Sequence, residues 1–335
     1  MRRTLRRLSR LLMPVLAILL AVLVLKLALR YRDARREQEA ADARAEAGII
    51  TEHQAYSALT YNNGSATLSF ALDEEGNWIW ADDPDFPLDD ATVTAVTDLL
   101  TSLKPQQIIT EPEALESYGL DSPTATLTAT GDTAGDLTLA LGKTTTDGNS
   151  YYMQMNGDDT KVYIIADTLY QYMAKPIYGM MRLPELPALR PDLLRSVTIQ
   201  GYAYTDDKRE TTATTLTAQE DNGAVTWRSN GANVTDSETV QALLEDLSAL
   251  AFDRCVDYRP SDEAAALCGF SKPAALLKIA YTTESGTDQT LTLTIGTPLP
   301  DGSGRFVRMD SDTTIYLLPT AALDPLMRVS VSGLE

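Results

Sequence analysis

Apolar and polar residues follow the same order twice along this chain. Apolar side chains recur every three or four positions in two stretches, which predicts two amphipathic helices. Their apolar faces hold four residues each: Val93, Val96, Leu100 and Leu103 in the first, and Val240, Leu243, Leu247 and Leu250 in the second. Residues 136–142 and 290–296 alternate between polar and apolar side chains, as half-buried strands do, and both end in glycine. The pattern predicts a tandem repeat of one α+β unit. Each copy is expected to combine a mainly antiparallel sheet with one amphipathic helix and a short terminal helix.

A joint between helix and strand marks each copy. The first runs from Tyr118 to Pro123 and the second from Cys268 to Pro273. In each joint the glycine suits the left-handed conformation that closes a helix, and the proline prevents the helix from continuing. We interpret the matched positions as structural, and the two tryptophans as a shared core position rather than a surface that stacks a ligand. These positions are Trp78, Tyr118, Gly119, Leu120, Asp121, Pro123 and Gly142 in the first copy, and Trp227, Gly269, Phe270, Pro273 and Gly296 in the second.

The repeats and their flanks divide the chain into seven segments. A stiff connection is expected between the repeats, because residues 182–191 contain three prolines. The predicted segments are a basic cytoplasmic leader 1–10, a transmembrane helix 11–29, a charged stalk 30–55, a first repeat lobe 56–181, a proline-rich linker 182–190, a second repeat lobe 191–327 and a tail 328–335.

The apolar segment near the N terminus predicts a membrane anchor. Residues 11–29 include only one charged residue, Lys26. A helix of this length spans roughly 28 Å at 1.5 Å per residue, close to the hydrocarbon thickness of a bilayer. A cleaved signal peptide is the alternative, because the run Val15–Leu25 is short enough for one, but no small-x-small cleavage site follows it directly. We therefore expect a retained, single-pass anchor.

Charge is unevenly distributed along the chain. Residues 1–48 contain 11 basic and 5 acidic residues, whereas the remainder contains 17 basic and 42 acidic residues, a net charge of −25. Five arginines precede the apolar segment, so the positive-inside tendency favours a cytoplasmic N terminus and an extracytoplasmic body at the plasma membrane. An acidic body repels phosphate backbones, so nucleic acid is not an expected partner.

The sequence gives little support for catalytic or metal chemistry. His53 is the single histidine, so a zinc site or a Ser-His triad has little to build on, and we interpret it as a solvated residue. The run Asp82–Asp90 holds five carboxylates, but it lacks the spacing and central glycine of a calcium loop, which favours a solvated turn. We predict a non-enzymatic protein with no catalytic, cofactor-binding or metal-binding residue, and carboxylate-only catalysis is the alternative.

Two features leave alternatives open. Outside the cytoplasm Cys255 and Cys268 form a disulfide if their geometry permits, and otherwise they are two unpaired thiols. The stretch 169–183 is rich in large apolar side chains, which either pack between the lobes or form a docking surface for a partner. The candidate docking residues are Tyr170, Tyr172, Met173, Tyr178, Met180 and Met181.

The order of these features resembles the bacterial family called domain of unknown function 4340. The residues that carry the resemblance are Trp78, the joint Tyr118, Gly119, Leu120, Asp121 and Pro123, the strand end Leu141 and Gly142, and the pair Tyr151 and Tyr152. The second copy departs from this pattern, with Cys268, Phe270 and Ser271 in place of Tyr, Leu and Asp. The shared motif is a packing signature, so it carries no active site over to this chain.

The resemblance implies an envelope protein associated with ABC-type transport systems similar to the auxiliary components of gliding machinery. We therefore expect an extracytoplasmic accessory protein whose partners are the membrane and the permease or ATPase subunits of a transporter. The alternative is a stand-alone binding module that holds a small ligand or an envelope polymer in the cleft between the lobes.

Overall fold

A computed structural model describes residues 23, 25–36, 38–39, 45, 48–52, 54–205, 208–221 and 224–334. The leader 1–10, most of the predicted transmembrane segment 11–29 and His53 lie outside the described residues. Residues 25–36 form a helix, α1, and Arg35 near its end forms an ion pair with Glu39, four residues further on (3.2 Å). Among the described residues, no helix has both the length and the apolar character needed to cross a membrane.

The chain forms two compact units. Unit 1 comprises the described residues up to Asp82 together with Ala91–Ala174. Unit 2 comprises Asp83–Asp90 together with the described residues from Lys175 onward. The segment Asp83–Asp90 therefore lies within the first repeat in sequence and within unit 2 in structure.

Unit 1 is built on an eight-stranded antiparallel sheet. Its strands are β1 Tyr56–Asn62, β2 Thr67–Leu72, β3 Trp78–Trp80, β4 Gln107–Ile109, β5 Ala125–Gly131, β6 Leu137–Thr144, β7 Ser150–Met155 and β8 Val162–Ala166. Their order across the sheet is β3-β2-β1-β5-β6-β7-β8-β4. Besides α1, the helices of the unit are α2 Ala91–Thr101, the 3-10 helix Leu115–Tyr118 and α3 Thr168–Met173.

Unit 2 is built on a nine-stranded antiparallel sheet. Its strands are β9 Leu194–Thr205, β10 Lys208–Asp221, β11 Ala224–Ser229, β12 Ala232–Asn233, β13 Arg254–Asp257, β14 Ala275–Thr282, β15 Asp288–Pro298, β16 Gly304–Met309 and β17 Ile315–Pro319. Their order is β12-β11-β10-β9-β14-β15-β16-β17-β13. The helices of the unit are the 3-10 helix Ile177–Met180, α4 Glu238–Ser248, α5 Asp262–Leu267 and α6 Thr320–Ser332.

Strand for strand, the two sheets have one topology. β9, β10 and β11 occupy the places of β1, β2 and β3, β13 occupies that of β4, and β12 is an addition at one edge. The register agrees as well, because Trp78 lies opposite Leu72, two residues beyond Phe70, and Trp227 lies opposite Ala218, two residues beyond Leu216. The predicted tandem α+β repeat with mainly antiparallel sheets is therefore confirmed.

The core of each unit lies where its helices pack against one face of its sheet. All eight residues of the two predicted apolar helix faces are buried: Val93, Val96, Leu100, Leu103, Val240, Leu243, Leu247 and Leu250. Alternate residues of the central strands face them, as in the buried–exposed alternation of β5. α2 contacts α3 in unit 1, and α4 contacts α6 in unit 2. Burial of these apolar surfaces is the main term that stabilises each unit.

Candidate interaction site

Each repeat joint closes a helical turn in the same way. Gly119 and Gly269 adopt left-handed conformations, with φ of 70° and 88°. The N–H of the following residue reaches back five positions, from Leu120 to the carbonyl of Leu115 at 3.0 Å and from Phe270 to the carbonyl of Ala265 at 3.1 Å. These bonds satisfy carbonyls that a helix end otherwise leaves unpaired.

A second pair of matched glycines lets each turn lie directly on a strand. A Cβ added at Gly142 would lie 2.2 Å from the carbonyl oxygen of Tyr118. A Cβ added at Gly296 would lie 2.1 Å from the carbonyl oxygen of Cys268. Both glycines are therefore positions of close backbone packing.

The side chains around the two joints differ. Leu120 is buried, whereas Asp121 is exposed and Pro123 and Pro273 are half-buried. The Tyr118 ring packs against Tyr152 in unit 1, with centroids 5.0 Å apart, and in unit 2 the Arg308 guanidinium lies 5.0 Å from the centroid of Phe270. Trp227 is buried, whereas Trp78 is half-buried.

The six predicted docking residues divide between the units, with Tyr170, Tyr172 and Met173 in unit 1 and Tyr178, Met180 and Met181 in unit 2. The three methionines are 0%, 2% and 7% exposed, so they contribute to packed interiors and not to an exposed surface. Tyr172 is half-buried, and Tyr170 packs on Tyr151 with ring centroids 4.8 Å apart. A run of apolar residues does not by itself separate buried from exposed positions.

Tyr178 belongs to an aromatic cluster beside the edge strand β13. Phe86 is buried between Tyr178, with centroids 6.3 Å apart, and Tyr258, edge to face at 5.1 Å. The Tyr178 hydroxyl donates to the carboxylate of Asp257 at 3.4 Å. Burial and the nearby Asp257 carboxylate raise the pKa of Tyr178, so its hydroxyl stays protonated and remains a donor at neutral pH.

The acidic segment Asp83–Asp90, here called the acidic strap, lies along unit 2. The N–H of Asp89 donates to the carbonyl of Met180, and the N–H of Arg182 donates to the carbonyl of Pro87, both at 2.7 Å. The strap is thus tied by its backbone to the segment that leads into the second repeat.

Arg259 binds the charges of the acidic strap. Its guanidinium lies 3.0 Å from the carboxylate of Asp83 and 3.5 Å from that of Asp85, and it sits over the Tyr258 ring at 4.8 Å. Arg259 has a φ of 58°, which is uncommon for a residue other than glycine and costs backbone strain. No cluster of three or more His, Cys, Asp or Glu that could hold a metal ion occurs in the described ranges.

The corresponding edge of unit 1 is open. Ile108 lies opposite Tyr163 in the β4–β8 pair, and Cys255 lies opposite Tyr316 in the β13–β17 pair, so Ile108 and Cys255 are equivalent positions. Ile108 is 44% exposed, whereas Cys255 is 4% exposed. No strand in the part of the chain that the structure describes pairs with the outer side of β4. Unit 1 therefore presents an apolar side chain on an unpaired edge strand.

Cys255 and Cys268 are both free thiols in the structure. Burial, with the carboxylates of Asp257 and Asp312 nearby, raises the pKa of the Cys255 thiol to about 12. Burial also raises the pKa of Cys268. Both thiols are therefore protonated near neutral pH and are weak nucleophiles.

A cavity of about 320 Å³ lies between α4 and α6 in unit 2. Arg328 and the hydroxyl residues Thr239 and Ser332 line it together with apolar residues such as Val329. Arg328 forms no ion pair or hydrogen bond with the residues that the structure describes. The volume of the cavity and the unneutralised charge of Arg328 suit a small anion with an apolar part.

The matched sheets and joints define a class of protein, a tandem α+β repeat in which each copy lays a helical turn on a glycine of its own sheet. The family model described as "Domain of unknown function (DUF4340)" matches residues 78–273 and residues 227–328. The chain belongs to this family. Neither a curated protein nor a solved structure matches it.

Proposed function

We propose that the protein is a membrane-anchored accessory protein without enzymatic activity, which binds a partner chain at the open edge of unit 1. The contrast between two equivalent positions carries this proposal, because Ile108 is 44% exposed on β4 and Cys255 is 4% exposed on β13. An unpaired edge strand offers backbone donors and acceptors to an extended segment of another chain, and a neighbouring apolar side chain adds to its affinity.

The composition of β4 supports this role. Edge strands that must avoid other chains commonly carry lysine, proline or an inward-pointing charge. β4 consists of Gln107, Ile108 and Ile109, so no lysine, proline or charge lies within it, and Lys104 and Pro105 lie just before it. Its three residues limit the contact to a short segment, which favours a small, regulated interface over a permanent one.

The cellular setting of the proposal comes from the N-terminal sequence and the family resemblance. Residues 11–29 anchor the protein in the plasma membrane, with the N terminus in the cytoplasm and the body outside it. The protein then works within an ABC-type transport system whose permease or ATPase subunits assemble with it.

The test is to cross-link the tagged full-length chain in native membranes, purify it and identify the recovered proteins by mass spectrometry. Ile108→Glu places a charge on the open edge, and Leu72→Glu is the matched control, because Leu72 is an exposed apolar residue (38%) on another strand of the same sheet. We expect transporter subunits to be recovered with the wild type. A partner chain that is cross-linked to the wild type should be lost with Ile108→Glu and retained with Leu72→Glu. Recovery of the tagged chain without transporter subunits would overturn the transport role, and equal recovery with both variants would overturn the assignment of the edge.

The cavity beside Arg328 supports a second candidate function, a stand-alone module that binds a small anionic ligand. A ligand that binds only the folded state raises the unfolding temperature. We would measure thermal unfolding of the full chain with phosphate and a series of monocarboxylates. Stabilisation of the wild type and of Lys278→Ala, an exposed control, but not of Arg328→Ala, would support the binding module. No stabilisation by any of these anions would reject it.

A further inference from the structure

In unit 2, a short segment covers the edge strand β13, which is the equivalent of β4 in unit 1. The 3-10 helix Ile177–Met180 contacts β13, and within it the hydroxyl of Tyr178 donates to Asp257. With this segment in place, Cys255 is 4% exposed. In sequence the covering segment follows the terminal helix of the first repeat, so the end of one repeat covers the edge strand of the next.

The second repeat ends in a counterpart of this segment. When Met173 is matched with Met327, the residues Ile177–Met180 match Val331–Leu334. Both are an apolar residue, a variable residue, a glycine and a second apolar residue. We call Val331–Leu334 the terminal motif.

The terminal motif is only partly packed on unit 2: a Cβ added at Gly333 would lie 3.8 Å from Thr214 of β10, and Leu334 is half-buried. Val331 is 75% exposed, near the end of α6. Exposing an apolar side chain to this degree forgoes the free energy that its burial would contribute. One chain therefore presents both an edge strand with an exposed apolar side chain, at Ile108, and a copy of the covering segment whose first apolar residue, Val331, is exposed.

Charges flanking the two surfaces are complementary. Arg328 precedes Val331 by three residues on α6, so the two lie on neighbouring positions of one helix face. Glu111 and Glu113 follow β4 directly, and both are exposed. A contact that brings Val331 to Ile108 also brings a cation towards these two carboxylates.

We propose that the terminal motif of one copy covers β4 and Ile108 of a second copy, so that the protein associates head to tail. The proposal rests on the proposed function only in taking the β4 edge as a binding site, and it names the occupant of that edge as a second copy of this chain. The contact joins two different surfaces, so successive copies form a closed ring or an open row. Because the interface is small, association is weak in dilute solution and is favoured by concentration in a membrane.

The first experiment uses cysteine pairs in full-length chains that carry Cys255→Ala and Cys268→Ala. One tagged chain carries Ile108→Cys, and a second, differently tagged chain carries Val331→Cys. After co-expression and oxidation in native membranes, a disulfide-linked pair that contains both tags is expected. Either cysteine variant expressed alone should form at most a tenth as much disulfide-linked dimer, because the contact joins two different surfaces. The control pair, Leu72→Cys with Leu267→Cys, places cysteines at exposed apolar sites, 38% and 79% exposed, that the proposed contact does not use.

A second measurement keeps the native cysteines, in case their replacement harms folding. A photoreactive phenylalanine analogue replaces Ile108 in the full chain, and the peptides cross-linked to it are sequenced. A peptide containing Val331–Leu334 of another copy supports the proposal. A peptide from a different protein overturns the head-to-tail contact but leaves the β4 edge as a binding site, and failure to cross-link any chain overturns both. In the cysteine-pair experiment, the head-to-tail contact is also overturned if the product with both tags is no more abundant than the product of the control pair.

Discussion

Adding one methyl group at either joint glycine should destabilise the unit that contains it. In Gly142→Ala the new Cβ would lie 2.2 Å from the carbonyl oxygen of Tyr118, and in Gly296→Ala it would lie 2.1 Å from that of Cys268. Real Cβ atoms essentially never approach another heavy atom within 3.0 Å, so turn and strand must separate by about 0.8 to 0.9 Å. In both cases the obstructing atom belongs to the backbone, so no side-chain rotation relieves the clash.

Two effects set the size of the loss. Overpacking of a close contact costs about 1–3 kcal/mol, while replacing glycine with alanine returns about 0.4–1 kcal/mol by restricting the unfolded chain. We therefore expect a net loss of about 1–2 kcal/mol for Gly142→Ala. Gly296→Ala should lose more, because separating the turn also weakens the hydrogen bond from the Thr297 N–H to the carbonyl of Cys268, now 3.0 Å long.

Denaturant unfolding followed by tryptophan fluorescence can assign each loss to a unit. The chain has three tryptophans, of which Trp78 and Trp80 lie in unit 1 and Trp227 lies in unit 2. Variants with Trp227→Phe report on unit 1 alone, and variants with both Trp78→Phe and Trp80→Phe report on unit 2. Each glycine variant is compared with its own reporter background, so that the effect of the tryptophan replacement cancels.

The control is Gly179→Ala, where the nearest atom to an added Cβ is a proline side-chain atom at an ordinary 3.4 Å. It should change stability by less than about 0.5 kcal/mol. If Gly142→Ala and Gly296→Ala unfold at the same denaturant concentrations as the control, the idea that these glycines are packing positions is wrong. A loss of stability in the other unit only would also contradict it.

Four further outcomes follow from the geometry of unit 2. Phe86→Ala should lower the free energy of unfolding by about 3–5 kcal/mol, because it removes a buried aromatic side chain. Arg259→Ala should lower it by about 1 kcal/mol or less, because the ion pairs of Arg259 are solvent-exposed. Denaturant unfolding measures both. Burial raises the pKa of Asp312, but hydrogen bonds from the Tyr316 hydroxyl and from backbone N–H groups outweigh it and lower the pKa overall. The stability that Asp312 contributes is then present above its unfolded pKa of about 4 and is lost as pH falls through the folded value, so Asp312→Asn should flatten the acid side of a pH–stability profile. Alkylation by iodoacetamide followed by mass spectrometry should leave Cys255 unmodified in the folded protein at pH 7 and modify it after unfolding; rapid labelling of the native protein would contradict its burial.

The repeat could be predicted from the sequence because its signals are local. Apolar spacing in a helix, alternation in a strand and a glycine at a helix end each depend on neighbouring residues. Both predicted four-residue apolar faces are buried in full, although Leu103 and Leu250 lie two residues beyond the ends of α2 and α4. The roles of Gly142 and Gly296 were predicted only as matched positions, since the carbonyl that approaches each of them comes from another element of the fold.

The acidic strap could not be predicted, because its partners are distant in sequence. Arg259 and Asp83 are 176 positions apart, and a single sequence contains no signal that pairs them. The segment was therefore interpreted as a solvated turn, whereas Phe86 within it is buried at 3% exposure. The same limit applies to Met173, Met180 and Met181, since an apolar run predicts burial or an interface equally well.

The open edge is visible only by comparing the repeats in three dimensions. Ile108 and Cys255 share neither residue type nor flanking sequence, and their equivalence follows from their pairing with Tyr163 and Tyr316. In any linear array where the end of one repeat covers the edge of the next, one edge and one covering end remain unmatched within the array. Adding repeats moves these two surfaces apart without removing either. In this chain the two surfaces carry Ile108 and Val331, and both side chains are exposed. These are the two surfaces that the proposed head-to-tail contact would join.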